Sequence, residues 1–329
     1  MDNPNKPLLI VILGPTACGK TALAVNVARA FNGEVVSGDS MQVYRHMDIG
    51  TAKVSPEEAA GVPHWLIDIR DPDEDFSVAD FRREAVACID SILARGRLPI
   101  LCGGTGLYIN SLLNEYHFSA VGGSDPQIRE RLRQEMKLYG TQYLHDELRR
   151  VDPDAAARIH PNDSHRLVRA LEVWRFAGVP ISSLQKQPGL EPPYRPLMIG
   201  LTMEREALYR RIEDRIDSML AKGLIEEVEA LLESGISREA VSMQGLGYRQ
   251  LAAYLQGECT LDEAVCLLKR DTRRFAKRQL TWFRRDKRIS WFQVDCFQNE
   301  NELYREVQEL ISRAVKECDL VEGIAGTIP

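Results

Sequence analysis

The residues best suited to chemistry form a glycine-rich turn near the N-terminus. The segment GPTACGKT, residues 14–21, has the spacing G-x-x-x-x-G-K-[ST]. Glycines let successive backbone N–H groups point at phosphate oxygens, and a helix that follows adds the positive end of its dipole. Lys20 would neutralise a phosphate, and the Thr21 hydroxyl would bind a divalent cation, expected to be Mg²⁺. The sequence therefore predicts a P-loop for a diphosphate or triphosphate. Its predicted binding residues are Gly14, Pro15, Thr16, Ala17, Cys18, Gly19, Lys20 and Thr21.

The elements on either side of this turn favour a P-loop over a chance match. The apolar run LLIVIL, residues 8–13, predicts a buried strand. Residues 22–31 contain strong helix formers with helical periodicity, and Asn32-Gly33 ends the helix. A strand, a turn and a helix in this order are the context in which the motif binds phosphate.

Asp39 is the strongest candidate for chemistry outside the P-loop. It follows a short predicted strand at residues 34–37, and the carboxyl ends of parallel strands meet at the edge of the sheet where ligands bind. The carboxylate could hold the metal in phosphoryl transfer, act as a general base toward an amine or hydroxyl, or only cap its own turn. Gln42 could read the edge of a base and Tyr44 could stack on one, although both could be ordinary loop surface.

A second glycine-rich turn follows the predicted strand at residues 98–102. It reads Gly103-Gly104-Thr105-Gly106, and the same sheet-edge rule would bring Thr105 toward the P-loop. A simple tight turn is the alternative. Residues 64–69, 197–202 and 289–294 also read as strands, and Ser77 as the N-cap of a helix that runs to Gly96. No apolar strand here ends in the Asp typical of motor ATPases, which argues against that class.

The middle of the chain changes character. Amphipathic helical segments follow one another from Tyr116 to Pro193, separated by Pro and Gly. We therefore predict an α/β fold, a P-loop NTPase-like parallel sheet flanked by helices, with an all-helical insertion domain. The predicted domains are a first part of the core at 1–115, the insertion at 116–194, and a second part of the core at 195–329.

A basic segment near the C-terminal end suggests a nucleic-acid partner. Residues 269–288 hold ten Lys or Arg and two Asp, interleaved with aromatic residues, in a chain whose net charge is −6. Such a concentration fits a helix that binds a phosphate backbone, and a merely solvated basic helix is the alternative. Most of the four arginines on an earlier predicted helix are expected to form i,i+4 ion pairs on a solvated face. The four arginines are Arg205, Arg210, Arg211 and Arg215.

Composition sets the remaining bounds. The 329 residues are 44% hydrophobic, and no apolar run approaches the roughly 20 residues that span a bilayer. The N-terminus lacks a basic and then apolar signal segment, so we expect a cytoplasmic protein without a membrane partner. The seven cysteines include no C-x-x-C pair, which argues against a zinc site. Cys18 is expected to be a small packing residue.

Several segments together resemble one known family. They are GPTACGKT, GDSMQVYRHMDIGTAK, HWLIDI, PILCGGTGLYI, HPNDSHRLVRALEV, GLGYRQ and AKRQLTWFRRD, in this order. They are similar to the bacterial tRNA dimethylallyltransferases, also called tRNA isopentenyltransferases, from the P-loop to Asp286. The resemblance implies a prenyltransferase that moves a dimethylallyl group from dimethylallyl diphosphate to N6 of adenine 37 in tRNAs that read codons beginning with U. It also implies that the P-loop holds the donor diphosphate with Mg²⁺, without ATP hydrolysis.

The resemblance also implies roles for individual residues. Asp39 would be the catalytic base, Thr105 would lie beside the reacting centre, and Thr21 would hold the metal. The partners would be the tRNA anticodon stem-loop and dimethylallyl diphosphate, and we expect a monomer. The residues implied to bind tRNA are Asp39, Ser40, Met41, Gln42, Thr105, Gln127, Asp163, Ser164, His165, Arg166, Leu167, Gln244, Gly245, Leu246, Gly247, Tyr248 and Arg249.

Two positions depart from the family pattern, and three other functions compete with the implied one. Cys18 stands where the family usually has Ser, and HPNDSHR stands where HPNDRQR-like segments are common. The competing functions are an ATP-dependent small-molecule kinase, a prenyltransferase that acts on free adenylate, and an RNA-binding P-loop protein without catalysis. The free-adenylate function gives no reason for the helical insertion or for the basic segment at 269–288, and the non-catalytic one would tolerate loss of Asp39.

Overall fold

The structure is a computed structural model that describes residues 6–113, 125–185 and 193–325. The chain forms two compact units. One combines the residues up to Leu113 with those from Pro192 onward, and the other lies between them in sequence.

A six-stranded parallel sheet is the centre of the first unit, with strand order β3-β2-β4-β1-β5-β6. The central strand β1 is apolar and completely buried, as expected for a parallel sheet covered on both faces. The strands are β1 Leu8–Leu13, β2 Gly33–Ser37, β3 His64–Trp65, β4 Leu98–Gly103, β5 Arg195–Thr202 and β6 Ser290–Gln293.

Helices connect these strands and contribute to one continuous core. Ser77 caps α3 through a capping box with Asp80, which confirms the predicted helix start. The helices of this unit are α1 Lys20–Ala30, α2 Pro56–Ala59, α3 Val78–Ala94, α4 Gly106–Leu113, α9 Arg205–Ala221, α10 Leu224–Glu233, α11 Tyr248–Leu255, α12 Leu261–Phe283 and α13 Glu300–Ala325.

The predicted strand at residues 64–69 is wrong beyond Trp65. Leu66 has φ 64° and Asp68 has φ 56°, and these left-handed conformations end the extended strand. The short edge strand β3 pairs with β2 at only two positions.

The described part of the second unit is entirely helical. It contains α5 Pro126–Val151, α6 Pro153–Ala156, α7 Ser164–Ala177 and α8 Ile181–Gln185. Gly140 has φ 82° and ψ 169° and kinks α5, so the helix is bent where the sequence suggested a break. Leucines of α5 and α7, including Leu144 and Leu171, form a separate core. The described part of this unit therefore has an apolar core of its own. Residues 116–124 and 186–192 of the predicted insertion lie outside the described residues.

Candidate active site

The P-loop curls between β1 and α1 because two glycines adopt conformations that other residues avoid. Gly14 has φ 143°, and a Cβ there would lie 2.4 Å from the Leu201 carbonyl oxygen. Gly19 has φ 84° and is the N-cap of α1. A side chain at Gly14 would thus separate the turn from β5, and one at Gly19 would strain the entry into the helix.

Lys20 and Thr21 begin α1 and line the cavity above the loop. The Lys20 Nζ donates a hydrogen bond to the Pro15 carbonyl oxygen at 2.6 Å, and burial lowers the pKa of Lys20 from its ordinary value. Thr21 is exposed. Cys18 is buried, and this burial raises the pKa of its thiol to about 11. The thiol is therefore neutral near pH 7 and has the packing position expected for it.

Asp39 follows β2, where it caps its own turn and also faces two cavities. Its Oδ1 accepts the Met41 N–H at 2.8 Å, the local contact that the sequence left open. In the part of the chain that the structure describes, no hydrogen bond reaches Oδ2. The side chain lines two cavities, so one carboxylate oxygen is available to a ligand.

Thr105 and Ser40 lie together beside Asp39. The Ser40 N–H donates to the Thr105 Oγ1 at 3.1 Å. The strands β2 and β4 are neighbours, and Gly103 allows their ends to approach because a Cβ there would lie 2.3 Å from the Gly38 carbonyl oxygen. The sheet-edge argument thus correctly predicts that both glycine-rich turns reach one site.

Gln42 and Tyr44 have other partners than the sequence suggested. The Gln42 Oε1 accepts the Ser37 hydroxyl at 2.8 Å, and its Nε2 lies 3.2 Å from the Thr51 carbonyl oxygen. The amide thus shapes the loop that follows β2. Tyr44 is only 1% exposed, so its interpretation as a stacking surface is wrong.

The loop after β2 is also held by α10. The Glu227 carboxylate accepts the N–H groups of Asp48, Ile49 and Gly50 at 2.8, 2.7 and 3.0 Å. It also accepts the Tyr248 hydroxyl at 2.6 Å. Tyr248 is 1% exposed. Its ring therefore belongs to the core, and the tRNA contact implied for its side chain has no support from exposure.

Two cavities meet at Asp39. The larger has a volume of about 1060 Å³ and is lined by the P-loop, and the smaller has a volume of about 510 Å³ and is lined by Ser40, Met41 and the Gln244–Arg249 turn. Both are lined by Thr16, Asp39, Thr51, Arg215, Met219 and Phe275. One substrate can therefore lie on the P-loop while a second approaches the same carboxylate from another cavity.

Arg215 is a site residue that the sequence interpretation missed. The expectation of i,i+4 ion pairs is wrong for α9, because within the described ranges none of its four arginines forms an ion pair. Burial lowers the pKa of Arg215, and the charge of Asp39 acts in the opposite direction. The spacing of apolar residues in α9 could have indicated that Arg215 lies in the site. Arg215 falls in the same stripe as the buried Ile212 and Ile216, which points its side chain inward.

Gln279 of α12 is a second residue that was missed. Its Oε1 accepts the Thr16 N–H at 3.0 Å, and its Nε2 donates to the Gly104 carbonyl oxygen at 2.9 Å. It shares the buried face of α12 with Ala276 and Phe283, and this spacing could have indicated its burial.

The residues implied to touch tRNA from the insertion differ in exposure. Asp163 caps α7 by accepting the Arg166 N–H at 3.3 Å, and Gln127, His165 and Arg166 are exposed. Leu167 is completely buried in the core of the second unit, so a contact through its side chain is contradicted.

The Gln244–Arg249 turn and α12 offer exposed polar groups to the smaller cavity. Gln244 and Arg249 are exposed, whereas Gly245 and Gly247 are buried. Arg249 pairs with Asp271 of α12 at 3.2 Å. Further along α12 and just beyond it, five exposed basic residues form no ion pair with an acidic residue of the described ranges. They are Lys277, Arg278, Arg284, Arg285 and Lys287.

The acidic and sulfur ligands for a metal are sparse. Among the described residues, no group of three or more His, Cys, Asp or Glu side chains could hold a metal ion. Mg²⁺ is commonly held by one or two protein oxygens together with substrate phosphates. The Thr21 hydroxyl has no hydrogen-bond partner in the parts of the chain that are described. This hydroxyl together with substrate phosphates therefore fits a Mg²⁺ ion.

No helix in the described ranges is long and apolar enough to cross a membrane.

The parallel sheet and the glycine-rich turn between β1 and α1 define a P-loop NTPase-like α/β protein. Residues 42–286 match the IPP transferase family. The chain belongs to this family.

Its relatives have consistent names. A tRNA dimethylallyltransferase of Symbiobacterium thermophilum is 55% identical over 92% of this chain and 94% of its own length. One of Desulforudis audaxviator is 54% identical over 88% of this chain and 93% of its own.

Two solved structures of proteins with related names are similar to this chain in sequence and in fold. The full-length tRNA isopentenylpyrophosphate transferase of Bacillus halodurans is 47% identical, covers 97% of this chain and 100% of its own, and superposes with a TM-score of 0.73. A eukaryotic dimethylallyltransferase acting on tRNA is 28% identical, with a TM-score of 0.80 over 93% of this chain and 80% of its own.

Proposed function

We propose that this protein is a tRNA dimethylallyltransferase. It transfers the dimethylallyl group of dimethylallyl diphosphate to N6 of adenine 37 in tRNAs that read codons beginning with U, and it releases diphosphate. The observation that carries this proposal is the position of Asp39, where the P-loop cavity meets a second cavity. A transferase with two substrates needs such a shared point.

The P-loop cavity suits the diphosphate of the donor. Lys20 and Arg215 supply positive charge there, and neither forms an ion pair with a described acidic residue. Charge that develops on the leaving diphosphate is stabilised most by cations and N–H groups that are already in place. The Thr21 hydroxyl and the diphosphate oxygens would hold Mg²⁺, which supplies further positive charge when it is bound.

The second cavity suits an adenine base taken out of the anticodon loop. A base inside a stacked loop must be flipped out before its amine can react. Met41, Leu246 and Phe275 offer apolar surface in this cavity, and Asp39 and Thr105 offer polar groups. The exposed basic residues of α12 would neutralise RNA phosphates.

In the proposed reaction, one bond forms, one bond breaks and Asp39 accepts one proton. The N6 nitrogen forms a bond to C1 of the dimethylallyl group, and the bond from C1 to the diphosphate oxygen breaks. Diphosphate leaves with that electron pair, and the proton lost by the amine goes to the Asp39 carboxylate, whose Oδ2 lacks a described partner. Ser40 and Thr105 hold the adjoining turns together.

The acceptor distinguishes this function from its competitors. The protein is incubated with labelled dimethylallyl diphosphate and Mg²⁺, and with tRNA or AMP as acceptor. The proposal predicts label in tRNA at adenine 37 and none in AMP. Label in AMP alone would support the free-adenylate enzyme. A parallel incubation with ATP that showed phosphate transfer, without prenyl transfer in the first assay, would support the kinase.

A further inference from the structure

Gln279 joins the two glycine-rich turns of the site through one side chain. It accepts a hydrogen bond from the Thr16 N–H at 3.0 Å and donates one to the Gly104 carbonyl oxygen at 2.9 Å. The residue is only 6% exposed. The two contacts need one acceptor and one donor on the same planar group. A primary amide provides both, whereas a carboxylate provides only acceptors and an apolar side chain neither.

The second turn has its path because α12 packs against it. A Cβ at Gly104 would lie 2.2 Å from the Gln279 Nε2, and one at Gly106 would lie 2.3 Å from Cδ1 of Trp282. These two glycines flank Thr105. Side chains of α12 therefore fix the turn that brings Thr105 to Ser40, beside Asp39.

We propose that Gln279 is a positioning residue for the transfer reaction. It fixes the P-loop, which holds the leaving group, relative to the turn of Thr105, which lies beside the base. It acts through Thr16 and through Gly104, the residue before Thr105. This inference rests on the proposed function, because it concerns the alignment of the donor with the acceptor.

Loss of the Gln279 contacts should slow the reaction because the donor and the acceptor would no longer be aligned. Reacting groups must be held close to the productive geometry, and a displacement of about 1 Å can lower a rate by about 100-fold. Losing both contacts of Gln279 lets the two turns separate without removing any group that binds RNA. The change should therefore appear in kcat rather than in the KM for tRNA.

The first experiment compares Gln279→Met with Leu280→Met, which places the same side chain one residue further along α12. We expect Gln279→Met to lower kcat at least about 10-fold, with an unchanged KM for tRNA, and Leu280→Met to retain wild-type kcat. Gln279→Glu keeps the Thr16 contact but turns an oxygen toward the Gly104 carbonyl. Gln279→Glu should weaken inhibition by inorganic diphosphate more than Gln279→Met does, because the new carboxylate adds negative charge beside the P-loop.

A second experiment tests the contact itself. Gly104→Ala should lower kcat strongly in the wild-type background, because its methyl group would overlap the Gln279 amide. In a Gln279→Ala background the overlap is gone, so the same substitution should cost much less. Melting temperatures and diphosphate binding show that each variant is folded. If the Gln279 variants do not fold, Gly104→Ala alone still tests the contact, since a wild-type kcat there contradicts it.

Three results would overturn the inference. One is an equal kcat for Gln279→Met and Leu280→Met, and another is independent, multiplicative effects at positions 104 and 279. The third is a wild-type kcat for Gly104→Ala. A wild-type protein that does not prenylate tRNA would refute the proposed function instead, so the two failures are distinguishable.

Discussion

Two basic residues of the P-loop cavity, Lys20 and Arg215, have no acidic ion-pair partner among the described residues. Lys20 donates to a backbone carbonyl oxygen, and Arg215 has no ion-pair partner in the described ranges. A buried cation without a counterion is costly. In the proposed function, the donor diphosphate supplies the missing negative charge. Asp39 is the nearby carboxylate that acts on the charge of both residues.

The charge of Lys20 should give donor use an alkaline limit. Burial lowers its pKa below the ordinary value of 10.5, and a lysine is charged only below its pKa. The free enzyme therefore loses this charge at a lower pH than an ordinary lysine would, and kcat/KM for the donor should fall above that pH. A pH profile of kcat/KM measures this. Lys20→Arg stays protonated, so the same alkaline limb in that variant would exclude Lys20 as its origin.

Arg215 should contribute to diphosphate binding. We expect Arg215→Gln to weaken inhibition by inorganic diphosphate by about 10- to 100-fold, the range for a lost hydrogen bond to a charged group. Arg210→Gln is the matched control, because Arg210 is exposed on the same helix. Equal effects of the two substitutions would show that only the general charge of α9 matters.

Local sequence patterns correctly predicted several helices, strands and turns whose residues lie close together in the chain. The run from β1 through the P-loop to α1 is encoded within about two dozen residues, and the Ser77 cap lies beside its helix. The rule for strand ends in parallel sheets placed Asp39 and Thr105 at one edge. These parts need no knowledge of distant contacts.

The contacts missed in the sequence are those between distant residues. Gln279 meets Thr16 across 263 positions of the chain, and Glu227 meets Asp48 across 179. A single sequence does not pair such residues. Helical period could have shown that Arg215 and Gln279 face inward, but not what they touch.

The C-terminal part of α12 should carry the salt dependence of tRNA binding. Each phosphate contact that is lost should reduce the slope of log affinity against log salt by about 1. We expect this for Lys277→Gln, measured by titration of tRNA at several salt concentrations. Lys269→Gln is the control, because Lys269 is already paired with Asp217 at 2.6 Å. Identical slopes for the two variants would contradict an RNA-binding role for this part of the helix.

The two units of the molecule differ in what they contain. The sheet unit contains both cavities and all the residues proposed to act in catalysis. The insertion has its own core and presents exposed polar residues such as His165 and Arg166. Because the net charge is −6, attraction to RNA must come from local surfaces, and we propose the end of α12 as one of them.

The central claim is that Asp39 takes the proton of the adenine amine while the P-loop holds the donor. The most direct test is a single-turnover measurement with labelled dimethylallyl diphosphate and tRNA, comparing the wild type with Asp39→Asn. We predict that the variant binds donor and tRNA normally and transfers the label at least about 100-fold more slowly. Transfer at the wild-type rate, or a loss explained entirely by weaker binding, would contradict the claim.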